Sequence, residues 1–195
     1  MSLPSAPVTE EAPKREVIGL FFRGLRAELD RRGLTERVLS RLQGEAREAL
    51  ERPPLHSSWL PGRTYDQIVL AVAEETNRQT LRDIGYHVAR STTGPFVLPL
   101  VKTFLNLFGF SPLTLLNNVN RLAALQLRGV AFRYEPETER GGMLVVSTAE
   151  PMDLLVYAHW EGVLTFAKDI FKVPVTVGTA VLDPDGRSAR VRVGW

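Results

Sequence analysis

The sequence predicts an α+β fold: an N-terminal helical layer packed on a small four-stranded antiparallel sheet of β-β-α-β-β order. Three observations carry this. Apolar residues recur at helical spacing from Lys14 to about Ala124, then alternate one-by-one from Val130. Asp183-Pro184-Asp185-Gly186 is a strong turn between two runs of strand character. The stretch Gly94–Leu116 (GPFVLPLVKTFLNLFGFSPLTLL) carries one charge, Lys102, in 23 residues, and everything else is arranged around it.

The elements follow in order. Residues 1–13 hold three prolines and few large apolar groups, so a disordered tail is expected, with one α+β domain over 14–195. From Lys14, the residues Val17, Ile18, Phe21, Phe22, Leu25 and Leu29 form the apolar face of a first helix, which Arg31-Arg32-Gly33 closes. Thr35 is positioned to cap a second helix using Val38, Leu39 and Leu42, and Gly44 interrupts its continuation. Pro53–Arg63 reads as an irregular, proline-rich connection. Thr64 and Gln67 have the spacing of a capping box, ahead of Tyr65, Ile68, Val69 and Val72. Leu81, Ile84 and Val88 belong to a further helix ending before Thr93-Gly94-Pro95.

Proline and glycine divide the apolar stretch into two short helices, near 96–108 and 112–122, with Ser111-Pro112 as N-cap and first residue of the second. Because the first is apolar nearly all round, it is expected to be central. A filled core, a ligand-lined core and membrane contact all compete for this stretch; buried core is the leading choice, because Gly94, Pro95, Pro99, Gly109 and Pro112 would strand backbone groups in lipid. Then come a hairpin (Val130, Phe132 and Tyr134, then MLVVST), a helix opened by Pro151, a strand over VPVTVGTAVL and a last strand SARVRV before Trp195. Gly162 falls inside that late helix, where glycine costs about 1 kcal/mol relative to alanine. Close approach of another backbone is the expected reason, with helix 96–108 as the partner.

Composition narrows the function. Net charge is only +2, and between Ile84 and Tyr134 there is no Asp or Glu beside Arg90, Lys102, Arg121, Arg128 and Arg133. Five scattered cations do not make a nucleic-acid-binding stripe. With no cysteine there are no disulfides and no thiolate chemistry, and no signal pattern opens the chain, so a cytoplasmic protein is expected. Neither a phosphate-binding GxxxxGK loop nor a GxSxG elbow occurs. His56, His87 and His159 lack metal-ligand spacing; His159 beside Glu161 is the one conceivable acid–base pair, and Glu135, Glu137 and Glu139 read as a solvated turn rather than a cation site. No catalytic residue, metal or cofactor is therefore assigned.

The stretch LRDIGYHVARSTTGPFVLPLVKTFLNLFGFSPLTLL resembles the middle of a myxobacterial family of uncharacterised proteins of about this length. The matching features are Leu81–Gly85, Ser91-Thr92-Thr93-Gly94, Gly109–Pro112, Trp160-Glu161-Gly162-Val163-Leu164 and the terminal Trp195. It departs at Ser91, where threonine is usual, and at Gly-Phe-Ser-Pro, where Gly-Pro is plain. More remotely, the element order is similar to a superfamily of haem-nitric-oxide-binding domains, vinyl-reductase-type ligand-binding domains and TRAPP subunits. That resemblance implies a noncatalytic role. It also implies, for the haem branch, a proximal histidine and a Tyr-x-Ser-x-Arg motif. Tyr134-Glu135-Pro136-Glu137-Thr138 lacks both the serine and the arginine, and no histidine lies near Leu105, so haem is not expected.

The expected function is a noncatalytic sensor or regulatory domain binding a small hydrophobic ligand in the helix–sheet core. Its candidate lining is Phe96, Leu100, Phe104, Phe108, Phe132, Trp160 and Phe166. The alternative is a protein-interaction or scaffolding subunit with a filled core, acting as a homodimer. No integral membrane association is expected in either case.

Overall fold

A computed structural model describes residues 14–96, 99, 103, 111–171 and 173–195, with the side chains of 93–96 and 171 excepted. The expected tail and most of the expected helix near 96–108 lie outside the described residues.

The described residues open with a strand where a helix was expected. β1 (Glu16–Ile18) pairs antiparallel with β2 (Trp59–Pro61) and with β3 (Leu127–Arg128), so Glu16 faces Pro61 on one side and Arg128 on the other. Val17 and Ile18 fit either period, and ladder bonds available on both edges decide for strand. This three-stranded sheet was not expected, and β2 lies within the segment expected to be irregular.

Four helices follow: α1 (Gly19–Arg32), α2 (Thr35–Arg41), α3 (Gly44–Glu51) and α4 (Gly62–Glu75). Gly33 closes α1 as expected. The two expected hydroxyl caps are corrected. Thr35 lies inside α2, where its Oγ1 donates to Asp30 Oδ1 at 2.5 Å. Thr64 is the third residue of a helix that begins at Gly62, and it is buried, so there is no capping box. Next, α5 (Arg78–Phe96) runs through Thr93-Gly94-Pro95 instead of stopping before it. Thr92 Oγ1 donates to Val88 O at 2.7 Å, keeping its hydroxyl within the helix.

Ser111 caps α6 (Pro112–Asn117), its Oγ accepting from the Thr114 N–H at 3.1 Å. A separate turn, α7 (Val119–Ala123), follows where one helix to residue 122 was expected. Asn120 ties α7 to the edge of the large sheet: its Nδ2 donates to Phe132 O at 2.5 Å, and its Oδ1 accepts from the Phe132 N–H at 2.7 Å.

Among the described residues the larger sheet has five strands rather than four. β4 (Val130–Thr138) pairs with β5 (Gly141–Thr148), which pairs with β8 (Ser188–Gly194), all antiparallel. The strand expected over 173–182 is two short pieces, β6 (Thr176–Val177) and β7 (Val181–Leu182), both against β8. Val177 faces Val193 and Val181 faces Arg190, so four residues of one strand span three of the other. The extra residue breaks the ladder where the Ala180 N–H turns away to Glu161 Oε1, 2.7 Å off. Between the hairpin and β6 lie α8 (Leu154–Thr165), capped by Asp153 Oδ1 accepting from the Leu155 N–H, and α9 (Ala167–Phe171). The buried sheet face presents Leu144, Val146, Ala189, Val191 and Val193, and one core cluster joins it to α1, α4, α5 and α8.

Candidate functional site

The site is built around α8, whose two sides do different work. One side is pressed on α5. A Cβ added at Gly162 would overlap the Arg82 carbonyl oxygen, and one added at Gly85 would overlap the His159 carbonyl oxygen. Each helix thus supplies a glycine where the other's backbone passes. Gly162 does mark a close approach, but the partner is α5 rather than helix 96–108.

Two buried polar side chains tie α8 to its neighbours, Glu161 to α5 and His159 to α4. Glu161 is 1% exposed; its Oε1 accepts from Arg78 at 2.5 Å and from the Ala180 N–H, and Arg82 Nε lies 3.5 Å from Oε2. His159 is fully buried, and its Nε2 lies 2.9 Å from Tyr65 Oη. Burial alone holds its imidazole down at about 3, and burial pushes the Tyr65 phenol well above its usual range, with Asp66 adding to it. His159 and Glu161 therefore face different partners, and the conceivable acid–base pair does not form. Among the described residues no group of three potential metal ligands occurs.

Trp160, Val163 and Leu164 on α8, continued by Phe166, Ala167 and Ile170, face an open space instead of a partner backbone. It is a cavity of about 180 Å³. Phe132, Val146 and Val191 of the sheet form its floor; Leu115, Val119 and Leu122 of α6 and α7 form its wall, with Phe21 and Ala89 behind. The rings of Phe21 and Trp160 pack 5.4 Å apart at its rear. Its lining is apolar except near Arg15, Tyr157, Glu161 and Gln126.

The polar end has its own structure. Arg15 is 3% exposed and ion-pairs with Asp66 of α4; Tyr157, 2% exposed, is alongside. Desolvation raises the Asp66 carboxyl, against the pull of Arg15, and burial lifts the Tyr157 phenol to about 12. Tyr157 Oη makes no hydrogen bond of normal length, and neither does Arg15 Nε. Thr148 is the neighbouring hydroxyl, but its Oγ1 donates to Glu150 O at 2.7 Å.

Of the residues singled out from sequence, Phe132, Trp160 and Phe166 line the cavity. Phe96 ends α5 with its side chain outside the description, and Leu100, Phe104 and Phe108 lie outside the described residues. Sequence reasoning missed Arg15, Phe21, Met152 and Tyr157. Tyr157, Trp160 and Leu164 stand at i, i+3 and i+7, a stripe that could have revealed Tyr157. Arg15 leaves no local signal.

No protein-family model matches the chain, and no curated protein does. Solved structures do share its fold, and that fold is of the H-NOX type. The unliganded Fe(II) H-NOX protein from K. algicida superposes with a TM-score of 0.66 at 10% identity, over 91% of this chain and 95% of that one. A mutant of the T. tengcongensis H-NOX gives 0.57 at 14% identity, over 90% and 96%. An oxygen-binding H-NOX domain related to soluble guanylate cyclases gives 0.55 at 13%, over 90% and 91%.

Haem is the group this fold type implies, and the lining decides whether it fits. The chain has three histidines and no cysteine. His56 is in the exposed loop before β2, His87 is edge-on to the Tyr86 ring on α5, and His159 is bound to Tyr65; none lines the cavity. The phenol that does line it, Tyr157, is held protonated by burial, and the Met152 thioether on the same lining ligates haem beside a histidine, which the lining lacks. These donors do not fit an axially ligated haem.

Proposed function

We propose that the protein is a noncatalytic sensor or regulatory domain that binds a small hydrophobic molecule between α8, α6–α7 and the sheet, and that it works in the cytoplasm. The observation that carries this is the cavity itself: about 180 Å³ of apolar space in an interior otherwise packed closely enough for two helix backbones to meet at glycines. Phe132, Trp160 and Phe166 are its ligand-contacting rings, with Phe96, Leu100, Phe104 and Phe108 completing the pocket. The H-NOX fold supports a ligand-holding interior, and the absence of a histidine on the lining supports a guest other than haem. Among the described residues no helix is long and apolar enough to cross a membrane.

Mass spectrometry of the native protein and of its organic extract tests this. The expected result is a colourless apolar molecule that leaves on extraction and is absent from Ala167→Phe, whose ring fills the cavity. A haem absorption band would overturn the proposed guest. An unliganded, dimeric protein that takes up no apolar molecule would favour the scaffolding subunit instead.

A further inference from the structure

Accepting an apolar guest, the polar end of the cavity says what kind. We infer that the guest is a molecule with an extended apolar body and one neutral oxygen acceptor, such as a ketone, aldehyde or ester carbonyl, hydrogen-bonded by the Tyr157 hydroxyl. This rests on the proposed ligand-binding role and adds the chemical class of the ligand.

Shape comes first. From Tyr157 to Leu164 the cavity runs beside two turns of α8, about 10 Å. The apolar lining continues past Leu164 to Phe166, Ala167 and Ile170, so an extended apolar body finds van der Waals partners along it. Leu115, Leu122, Val163 and Ile170 offer nothing but van der Waals contact to the body of such a molecule.

The head is set by what is left unsatisfied. A buried hydroxyl without a partner is costly, and Tyr157 Oη is such a group on the cavity lining. An acceptor oxygen on the guest would supply the missing bond. Charge then decides between acceptors. The Arg15 guanidinium is already neutralised by Asp66, so the pair has no net charge to offer, while its unbonded Nε is a second donor that a neutral oxygen can meet. A carboxylate head would put a second anion beside Asp66 in a site that already disfavours ionisation of the first. A neutral oxygen meets no such repulsion.

Calorimetric titration with octane, 2-octanone and octanoate at pH 7 tests the inference, using the wild type and Tyr157→Phe. The substitution removes one oxygen whose neighbouring hydroxyl, Thr148, keeps its bond to Glu150 O, so the fold should persist, which a melting curve checks. Wild type should bind 2-octanone about tenfold more tightly than Tyr157→Phe does, the worth of one buried hydrogen bond, and octanoate less tightly than 2-octanone. Octane, which makes no use of the hydroxyl, should bind both proteins equally. Equal affinities of the two proteins for 2-octanone would overturn the inference while leaving the apolar pocket standing. So would octanoate bound more tightly than 2-octanone. Failure of all three to bind would overturn the pocket and this inference together.

Discussion

Gly162→Leu is expected to yield no soluble folded protein, and Gly162→Ala to melt well below wild type. The Cβ of either residue would fall on the Arg82 carbonyl oxygen, with the Tyr86 nitrogen 2.9 Å away. Both are backbone atoms of α5 and cannot rotate aside as a flexible side chain would. Separating the helices would also strain Glu161, which bonds Arg78 on α5 and the Ala180 N–H between β6 and β7. Overpacking of this kind costs about 1–3 kcal/mol and more where backbone must move. At the upper end, Gly162→Ala should lose roughly 6–12 °C in Tm for a chain of this size. Elsewhere in a helix the same change stabilises by about 0.4–1 kcal/mol. The two cases differ in sign, so a raised Tm in thermal melts would contradict the close α5–α8 contact.

Acid should weaken the fold well before the carboxylates titrate, because of His159. Its unfolded value is the ordinary 6.5, and burial holds it at about 3 in the native state. Below pH 6.5 the unfolded chain takes up a proton that the native state refuses, so stability falls as pH drops and continues to fall toward pH 3. The slope is about 1.4 kcal/mol per pH unit, giving a loss of about 2 kcal/mol between pH 6.5 and 5. Asp66 acts in the opposite direction at lower pH, since its raised carboxyl binds a proton more readily folded than unfolded. Urea unfolding of wild type and His159→Gln at pH 7, 6 and 5 separates these contributions. The variant should lose the slope between pH 7 and 5, whatever its absolute stability. An equal slope in both proteins would mean that His159 is protonated in the folded state.

The parts of this fold that were legible in the sequence are those whose cause is local. Alternation over Val130–Tyr134, the Asp183–Gly186 turn and the Ser111 cap each depend on neighbours within a few residues, and each is present. What was not legible depends on distant partners. β1 is a strand because β2 and β3 flank it, although its residues also suit a helix. The 173–182 strand is split because Glu161, far back in the chain, takes the Ala180 N–H. The cost of Gly162 was visible, but its partner was not. Gly85, also in mid-helix, was the available clue, since two helices each carrying an internal glycine can close on each other. At the site, Phe132, Trp160 and Phe166 were singled out from the sequence, whereas the aliphatic wall of α6 and α7 was not, and Arg15 joined the lining only through a pair with Asp66 on another helix.

The central claim, that apolar space beneath α6 and α7 is open to a guest, meets its most direct measurement in a crystal structure under xenon pressure. Xenon enters cavities that are apolar and accessible, and makes no demand on hydrogen bonds. The expected result is a strong xenon peak among Phe132, Trp160 and Phe166, with Tyr157 unmoved at the polar end. Rings closed together at that place, with no xenon between them, would contradict the pocket and every ligand assigned to it.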